Sequence, residues 1–424
     1  MIQENRSFDN LFATYPGADG TTTGRMQGKH GPRRIPLQEV DLTEPCDFGH
    51  SYSGFIKDYD GGRMDGFNTE GGGNGSACAG PAGKHPYQYV NPQQIAPYWD
   101  IANQYVLADE MFQTQGSGSF TAHQDLIRGG TMIDQKQKIS LVDFPSTTPW
   151  GCDAPASTKT PELVWGHDEL THVGGGPAPC TTDFPSDGAY YPTLRDRLDA
   201  QSISWKYYSP PVENGVGKYW NAFDAIAPVR YGPEWGTNVT TTPNSQNEIF
   251  GDIQYGRLAA VSWLIPDEDN SDHPTTGHDT GPSWVASVVN AVGESQYWDS
   301  TAIIVVWDDW GGFYDHVPPP LPRDHWGGLG FRVPMLVVSA YARVGTGSLG
   351  GYISPTQYEF GSIVRFIEDN WNLGSLHTTD ARANSIVDCF DFSQPPRAFT
   401  AIPSQYSKEY FLHQPPSNKP IDTE

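Results

Sequence analysis

The feature that most constrains this chain is a continuous apolar run, Ala302 to Trp307, that ends directly in two adjacent aspartates, Asp308 and Asp309. Six apolar residues bounded by polar sequence are typical of a central β-strand that is covered on both faces. Two carboxylates at the end of such a strand are costly to bury unless a cation neutralises them. The run therefore predicts a covered sheet with a charged site at the carboxyl end of one strand.

Other segments indicate that strands and helices alternate along the chain. Apolar runs predict further strands over 203–208, 261–265 and 332–338. Apolar residues with helical spacing predict helices over 124–128, 191–198, 283–292 and 358–371. This alternation indicates an α/β fold with a mostly parallel sheet.

Two stretches, 17–96 and 129–190, have a different composition, rich in Gly, Pro, Thr and Asp. We interpret them as long insertions that form walls around a site, within a single domain over residues 1–424. The first three residues lead straight into Glu4 and Asn5. If Glu4 and Asn5 do chemistry at the end of a strand, we expect that strand to begin before Met1, and any signal peptide to precede it.

The charge balance excludes some classes of protein. A formal net charge of −24 argues against nucleic-acid binding, which needs a basic face. The longest apolar run, Ala302 to Trp307, is far shorter than the roughly 20 residues of a membrane-spanning helix. We therefore expect neither a nucleic-acid partner nor a transmembrane segment.

The five cysteines are too few to form a disulfide scaffold in a chain of this length. Cys46 with Cys78, and Cys152 with Cys180, would form two local bridges in an oxidising compartment, which leaves Cys389 unpaired. Reduced, buried thiols are the alternative. A thiolate zinc site is not expected, because the sequence has no Cys-x-x-Cys pair.

Two pairs of oxygen donors, Asp308–Asp309 and Glu4–Asn5, suit a hard divalent cation. Ser119 follows a Gly-Ser-Gly turn and precedes a helical segment. The dipole and free N–H groups of a helix N-terminus favour an oxyanion or phosphate oxygens beside that hydroxyl. The alternatives are a solvated turn for the acidic pairs and a helix cap for Ser119.

His273 lies in an acidic loop, 267–278, after the predicted strand 261–265. An imidazole titrates near neutral pH, so His273 is a candidate general acid. The acids around it are expected to hold it cationic; they are Asp267, Glu268, Asp269 and Asp272. A solvated acidic loop is one alternative, and a zinc site that uses His273 and His278 is another.

Blocks of sequence in a fixed order carry a resemblance to a known family. They are Glu-Asn-Arg-Ser-Phe-Asp at 4–9, His50 with Gly-Arg-Met-Asp-Gly-Phe at 62–67, residues 119–129, His273-Pro274, residues 308–317, residues 330–334 and residues 362–368. Over residues 1–375 the chain resembles the phosphoesterase family of bacterial phosphatidylcholine-type phospholipases C and related acid phosphatases. That family belongs to the alkaline phosphatase/sulfatase-like superfamily.

The resemblance implies an alkaline phosphatase-like, three-layer αβα sandwich and metal-dependent hydrolysis of phosphoric esters through a phosphoserine. It implies that one divalent ion, Ca²⁺, Mg²⁺ or Mn²⁺ rather than Zn²⁺, is held by Glu4, Asn5, Ser119, Asp308 and Asp309. Ser119 would be the nucleophile and His273 the leaving-group acid. The implied phosphate or substrate contacts are His50, Arg63, His123 and His316. An extracytoplasmic location, periplasmic or secreted, is also implied.

The substrate class and one different class of function stay open. Arg63 stands where the family has Lys, and Asp309 where many phospholipases C have Glu, so a phosphomonoester and a phospholipid headgroup are both candidate substrates. The alternative is a non-catalytic ligand-binding protein on the same scaffold, because loop tryptophans can stack on sugars or choline. These tryptophans are Trp99, Trp150, Trp165, Trp220, Trp235 and Trp326. The sequence does not indicate an oligomeric state.

Overall fold

The computed structural model describes residues 1–421 except 72–82, 135, 137, 148, 166–169, 174, 177–179, 181–190, 213–218, 321–327 and 347–349. Its strands are β1 (Ile2–Gln3), β2 (Thr23–Met26), β3 (Arg33–Pro36), β4 (Gln38–Val40), β5 (Gln88–Val90), β6 (Val106–Ala108), β7 (Ile139–Leu141), β8 (Glu162–Trp165), β9 (Leu170–Val173), β10 (Trp205–Tyr208), β11 (Val239–Thr240), β12 (Val261–Leu264), β13 (Ala302–Trp307), β14 (Met335–Ser339) and β15 (Tyr352–Ser354). Its α-helices are α1 (Phe8–Phe12), α2 (Tyr52–Tyr59), α3 (Ala96–Gln104), α4 (Ser119–Arg128), α5 (Leu194–Ala200), α6 (Ala227–Arg230), α7 (Glu248–Gln254), α8 (Gly281–Gly293), α9 (Phe360–Trp371) and α10 (Lys408–His413).

Two sheets carry the core of the molecule. The larger has the strand order β1-β13-β14-β6-β15, and the smaller has the order β11-β10-β12. The α/β class predicted from the sequence is confirmed. The smaller sheet is parallel throughout, and so are the pairs β1–β13 and β6–β15.

Strand β14 departs from the predicted parallel arrangement. It runs antiparallel to both of its neighbours, β13 and β6. A parallel return to the same sheet needs a crossover, usually a helix. The described residues between β13 and β14 contain no helix, so the chain comes back in the opposite direction.

The helices pack in two groups. One contains α3, α7, α8 and α10, and the other contains α4, α5 and α9. Helix α9 shows why they pack, because Phe360, Ile363, Val364 and Ile367 form one buried stripe. Each such side chain contributes about 1.5–3 kcal/mol when it is removed from water. Two separate helix groups are the arrangement expected for a three-layer sandwich.

The predicted insertions contain small sheets of their own. Residues 17–96 include the pairs β2–β3 and β4–β5 and helix α2, and residues 129–190 include the antiparallel sheet β7-β8-β9. Phe48 of the first insertion packs edge-on against Phe313, with ring centroids 5.3 Å apart, next to the end of β13. The first insertion is thereby held against the carboxyl end of the central strand.

The cysteine predictions are met where the structure describes them. Cys152 and Cys180 form a disulfide, and Cys389 is buried and free. Cys78, the predicted partner of Cys46, lies outside the described residues. None of the described helices has both the length and the apolar character needed to cross a bilayer.

Candidate active site

The two pairs of oxygen donors meet at the carboxyl ends of β1 and β13. These strands are parallel, with Gln3 opposite Trp307, so Glu4 and Asn5 emerge beside Asp308 and Asp309. All four side chains are completely buried. The juxtaposition follows from the general rule that strand carboxyl ends gather ligand groups in open α/β sheets. We call these four residues the acidic cluster.

Backbone N–H groups fix the orientation of both aspartates. Asp308 Oδ1 accepts hydrogen bonds from the N–H groups of Asn5 (2.9 Å) and Asp309 (2.7 Å). Asp309 Oδ1 accepts from the N–H of Gly311 at 2.7 Å. Asn5 has a φ of 57°, a left-handed conformation that asparagine tolerates better than most residues. One oxygen of each aspartate is therefore engaged, and the other faces the cluster.

Several oxygens of the acidic cluster have unused acceptor capacity. Glu4 Oε2, Asn5 Oδ1 and Asp308 Oδ2 are buried and accept no hydrogen bond from the described residues. Burial, and then the charge of Asp308, raise the pKa values of Glu4 and Asp309 well above their usual range. A divalent cation would give the unused oxygens a partner and would favour the ionised carboxylates, and an oxygen-rich donor set suits a hard ion. These residues fit the metal that the resemblance implies.

His123 lies against this cluster. Its Nε2 is 3.0 Å from Glu4 Oε1 and 4.0 Å from Asp308 Oδ2, so it contacts the implied metal ligands. Burial lowers its pKa to about 4, which makes the imidazole neutral at pH 7. Glu4, His123 and Asp308 have atoms close enough to share an ion.

Ser119 is the first residue of α4, and its hydroxyl reaches the acidic cluster. Gly118 is the N-cap, so Ser119 itself is not the cap. Ser119 Oγ donates to Asp309 Oδ2 at 3.3 Å. The turn before it must be close to α2, because a Cβ on Gly116 would come within 2.1 Å of the Phe55 ring. The small-residue turn therefore lets a hydroxyl at a helix N-terminus approach the Asp309 carboxylate.

His50, from the first insertion, lies against the acidic cluster. Its Nε2 is 3.1 Å from the amide nitrogen of Asn5 and 3.8 Å from Asp309 Oδ2. Since that amide nitrogen only donates, Nε2 accepts, and the proton sits on Nδ1, which donates to the carbonyl of Phe48 at 2.7 Å. The fully buried ring thus lies at the cluster in a defined tautomer.

His273 is neutral, which corrects the prediction that the acidic loop holds it cationic. Burial, followed by the electrostatic effects of His50 and Arg6, lowers its pKa well below the usual value. Two of the four neighbouring acids are directed elsewhere: Asp267 accepts from Asn270, and Asp272 accepts from Tyr98. The electrostatic effect of His50 places His273 in the same buried region as the cluster.

A short chain of hydrogen bonds orients His273. Its Nδ1 is 3.1 Å from Thr275 Oγ1, and the Thr275 hydroxyl donates to Glu268 Oε1 at 3.4 Å. In the tautomer with the proton on Nδ1, the threonine oxygen accepts from Nδ1–H and Nε2 keeps its lone pair; in the other tautomer, Nδ1 accepts from the N–H of Thr275 at 3.5 Å. The sequence showed no sign of the contact through Thr275, and it indicated Glu268 only as one of four acids around the histidine. The zinc alternative is not seen in the described residues, where His278 lies 3.4 Å from Asp269 instead.

Two predicted substrate contacts lie elsewhere. Arg63 has a 57% exposed side chain and forms an ion pair with Asp60. Its guanidinium, which was expected to contact phosphate, is therefore paired with a surface carboxylate. His316 contacts Asp9 at 2.7 Å and Asp19 at 3.3 Å instead of the acidic cluster. Both side chains contact an acidic neighbour that sequence spacing does not reveal.

His316 belongs to a second group of acidic side chains, Asp9 and Asp315, that is spaced closely enough for a metal. This group already contains a permanent cation. The Arg332 guanidinium is 3.0 Å from Asp315 and 3.7 Å from Asp9. The described contacts of the acidic cluster include no comparable arginine. The acidic cluster is therefore the better candidate for a metal site.

The loop tryptophans that can be described have packing roles. Trp150 and Trp220 are buried, and Trp99 packs on Phe12 and Tyr15. Trp235 lies under the guanidinium of Arg230. The Trp165 side chain and Trp326 lie outside the described residues. The four described tryptophans are thus engaged in packing, which weakens the argument from stacking on which the binding-only alternative rests.

Comparison with known proteins gives consistent results. The profile of the Phosphoesterase family matches residues 1–374. The chain is 23% identical to phospholipase C A of Mycobacterium tuberculosis (strain CDC 1551 / Oshkosh), over 94% of this chain and 77% of that protein. It is 31% identical to non-specific phospholipase C1 of Arabidopsis thaliana, over 94% of this chain and 71% of that protein.

Among solved structures, a protein in the alkaline phosphatase superfamily from Vibrio parahaemolyticus matches with a TM-score of 0.37 and 10% identity. The match covers 69% of this chain and 65% of that one. The family match spans most of the chain and includes the acidic cluster, Ser119, His50 and His273. The chain therefore belongs to the phosphoesterase family and is a hydrolase of phosphoric esters.

Proposed function

We propose that this enzyme hydrolyses phosphodiesters in the manner of a phospholipase C, through a phosphoserine at Ser119 and with a divalent metal ion. The observation that carries the proposal is the position of the Ser119 hydroxyl, 3.3 Å from Asp309 in a buried cluster with unpartnered oxygens. A hydroxyl there has a proton acceptor and lies at a helix N-terminus.

Glu4, Asn5, Ser119, Asp308 and Asp309 would hold the metal. When bound, the ion would neutralise the carboxylates, stabilise charge on a phosphate oxygen and lower the pKa of the serine hydroxyl. The oxygen-rich set favours Ca²⁺, Mg²⁺ or Mn²⁺. His123, 4.0 Å from Asp308, is the residue that would make Zn²⁺ the competing ion.

In the first step, Ser119 Oγ forms a bond to phosphorus while the bond from phosphorus to the leaving alcohol breaks. The serine proton passes to Asp309 Oδ2, the oxygen it already contacts. The alcohol takes a proton from His273. Because His273 is neutral in the free protein, it must first gain that proton, and an arriving phosphate anion favours its charged form.

In the second step, water attacks the phosphoserine. His273, neutral again after the first step, accepts the proton of the water, and Ser119 recovers its own from Asp309 as the phosphomonoester leaves. His50 stays in the same tautomer throughout, because Nδ1–H remains bonded to Phe48. Its Nε2 holds the Asn5 amide in place.

The substrate class is inferred from the relatives. Those described above carry the names phospholipase C A and non-specific phospholipase C1. A phospholipid, which is a phosphodiester with a headgroup such as phosphorylcholine, is therefore proposed as the substrate, with a phosphomonoester as the competing outcome of the test.

The proposal is tested with Ser119→Ala and, as a matched control, Ser117→Ala. Both remove a buried hydroxyl from the same turn, but Ser117 Oγ accepts from the N–H of Asp143 and not from the cluster. We expect Ser119→Ala to lower kcat on p-nitrophenylphosphorylcholine by at least about 1,000-fold. The control should retain most of its activity, and near-full activity of Ser119→Ala would refute the nucleophile.

A parallel assay compares the diester with p-nitrophenyl phosphate, with and without added Ca²⁺, Mg²⁺, Mn²⁺ or Zn²⁺. Preference for the diester supports the phospholipase C type. Exclusive use of the monoester would instead indicate an acid phosphatase. Full activity after exhaustive chelation, with no metal found by elemental analysis, would rule out the metal.

An extracytoplasmic location is part of the proposal. The bridge between Cys152 and Cys180 supports it, since disulfides persist in oxidising compartments. Fractionation of producing cells tests this, and recovery of the enzyme with both thiols reduced in the cytoplasm would contradict it.

A further inference from the structure

A β-hairpin in the first insertion carries an exposed basic surface, although the chain as a whole has a net charge of −24. Its strands, β2 and β3, pair antiparallel. Residues 25–34 contain four Lys or Arg residues and no Asp or Glu. All four cations are exposed, and they are Arg25, Lys29, Arg33 and Arg34. We call residues 23–36 the basic hairpin.

The positive charges of the basic hairpin are not neutralised by the part of the chain that the structure describes. None of the four side chains forms an ion pair or a hydrogen bond there, whereas the exposed Arg63 pairs with Asp60. Arg25 also lies directly opposite Arg34 in the register of the two strands. Like charges at such positions repel each other and destabilise the ribbon. An anionic partner would relieve this repulsion.

The other face of the basic hairpin packs on the protein. Met26 and Ile35 are buried in an apolar cluster that also contains Tyr87. Gly24 lies close on the same ring, because a Cβ there would come within 2.7 Å of Tyr87. The four cations therefore extend from an anchored ribbon, which presents them together to one partner.

The basic hairpin adjoins the segment that continues from the acidic cluster. The N–H of Arg25 donates to Tyr314 Oη at 3.2 Å, and Tyr314 follows Asp309 by five residues. The Ser7 hydroxyl, close after Glu4 in the chain, donates to the carbonyl of Tyr314 at 2.8 Å. A partner bound to the basic hairpin is therefore held beside a wall of the candidate active site.

We propose that the basic hairpin docks the enzyme on a bilayer that contains anionic phospholipids. The choice of a lipid surface rests on the proposed function, because a phospholipid substrate lies in such a surface. The tip of the hairpin, residues 27–32, contains no aromatic or large aliphatic residue. The contact is therefore electrostatic and peripheral, without insertion into the hydrocarbon region.

The net charge of the molecule selects the orientation of docking. The remainder of the chain is strongly acidic and is repelled by an anionic bilayer. Salt limits both attraction and repulsion to about 10 Å at an ionic strength of about 0.1 M. Attraction therefore exceeds repulsion only when the basic hairpin faces the bilayer, and this orientation brings the adjoining wall of the site toward the headgroups.

The test is co-sedimentation with vesicles of phosphatidylcholine that contain about 30% phosphatidylserine, at about 0.1 M salt. The hairpin variant has four substitutions: Arg25→Gln, Lys29→Gln, Arg33→Gln and Arg34→Gln. The matched control removes four exposed cations at scattered positions: Lys138→Gln, Lys159→Gln, Arg257→Gln and Lys408→Gln. Since each cation near an anionic surface contributes about fivefold, we expect the hairpin variant to bind at least about 50-fold more weakly. The control should stay within about threefold of the wild type.

A second variant separates surface charge from a shaped guanidinium site. Arg25→Lys, Arg33→Lys and Arg34→Lys together keep every charge, so this variant should bind the vesicles like the wild type. Binding of both proteins should disappear at about 0.5 M salt. Loss of binding in the Lys variant at low salt would overturn a docking surface based on charge.

Two other anionic partners are excluded by the same experiment. Duplex DNA that competes with the vesicles at equal phosphate concentration would overturn the choice of a lipid surface. Self-association that depends on the basic hairpin and occurs without lipid, measured by sedimentation at several concentrations, would show that the partner is the acidic surface of a second copy. Equal vesicle binding by the hairpin variant and the wild type would also overturn the proposal.

Hydrolysis is measured separately, so that the docking proposal and the proposed function can fail independently. The hairpin variant should keep its kcat/KM on p-nitrophenylphosphorylcholine and lose activity only on the anionic vesicles. Docking without hydrolysis of either substrate would refute the proposed function and support the docking surface. Hydrolysis of vesicle lipid at equal rates by the hairpin variant and the wild type would refute the docking surface and leave the proposed function standing.

Discussion

His273, the proposed proton carrier, is oriented by its neighbours. The Thr275 hydroxyl lies between the Nδ1 of His273 and Glu268, so it holds the ring with Nε2 available. This orientation is needed only when the leaving group requires a proton. Thr275 is therefore a positioning residue, and its effect should depend on the substrate.

Thr275→Val should lower kcat about 10- to 100-fold on diesters of alkyl alcohols, and much less on p-nitrophenyl esters, whose leaving group needs little protonation. The measurement is kcat across a series of leaving groups. Thr276→Val is the matched control, because the Thr276 hydroxyl donates to the carbonyl of His278. Equal losses on all esters would show a merely structural role for Thr275.

The pH dependence of folding is expected to involve His316. Burial alone lowers its pKa, but the hydrogen bond to Asp9 and the charges of Asp9 and Asp315 raise it to about 9, against the opposing charge of Arg332. The folded pKa exceeds the unfolded value of 6.5. The stabilisation is therefore complete below pH 6.5 and is lost as the pH rises toward 9.

The size of this contribution is at most about 3 kcal/mol, from the shift between the two pKa values. Urea unfolding at pH 6, 7.5 and 9 measures it. In His316→Gln, the part of the stability that falls over this range should disappear. A wild-type protein whose stability is flat from pH 6 to 9 would contradict the assignment.

At the scale of elements, the turn after β13 decides the shape of the acidic cluster. Gly311 has a φ of +58°, and a Cβ there would come 2.3 Å from the backbone oxygen of Asn5. The turn and the end of β1 thus touch backbone to backbone. A side chain at this position would push Asn5 away from Asp308.

Gly311→Ala should reduce the free energy of unfolding by about 1–3 kcal/mol and lower kcat together with metal affinity. Gly277→Ala is the control, because Gly277 also has a positive φ (+69°) but no atom within 4 Å of an added Cβ. The control carries the backbone strain without the clash. If both variants lose equal activity, the contact with Asn5 is not what shapes the site.

At the scale of the whole molecule, the metal proposed for the acidic cluster would link metal binding to stability. A ligand that binds only the folded state at 100 times its Kd adds about 2.7 kcal/mol. Removal of the metal by a chelator should therefore lower the Tm. Asp308→Asn should have opposite effects in the two states: it should stabilise the metal-free protein, by removing a buried charge, and abolish the response to metal.

Differential scanning calorimetry with and without chelator measures these shifts. Asp369→Asn, at an exposed position on α9 with a 62% exposed side chain, is the control and should respond to metal like the wild type. A Tm unaffected by chelator in the wild type would contradict the link between cluster and metal.

The sequence alone determined the elements in which local pattern is strong. The apolar run ending in Asp308–Asp309 predicted β13 with its observed bounds, because a strand covered on both faces has no polar positions. It also predicted Ser119 at a helix N-terminus, since a Gly-rich turn before a helical segment is a local signal. The α/β class followed from the alternation of such segments.

Only the tertiary structure decided which charged groups meet. No local pattern encodes the antiparallel direction of β14. The same holds for three contacts between side chains: Arg63 with Asp60, His316 with Asp9, and His123 with Glu4. The predicted positive charge of His273 was wrong for the same reason. The prediction rested on the acids that lie near His273 in sequence. Its pKa depends instead on burial and on His50 and Arg6, which the fold brings close to it.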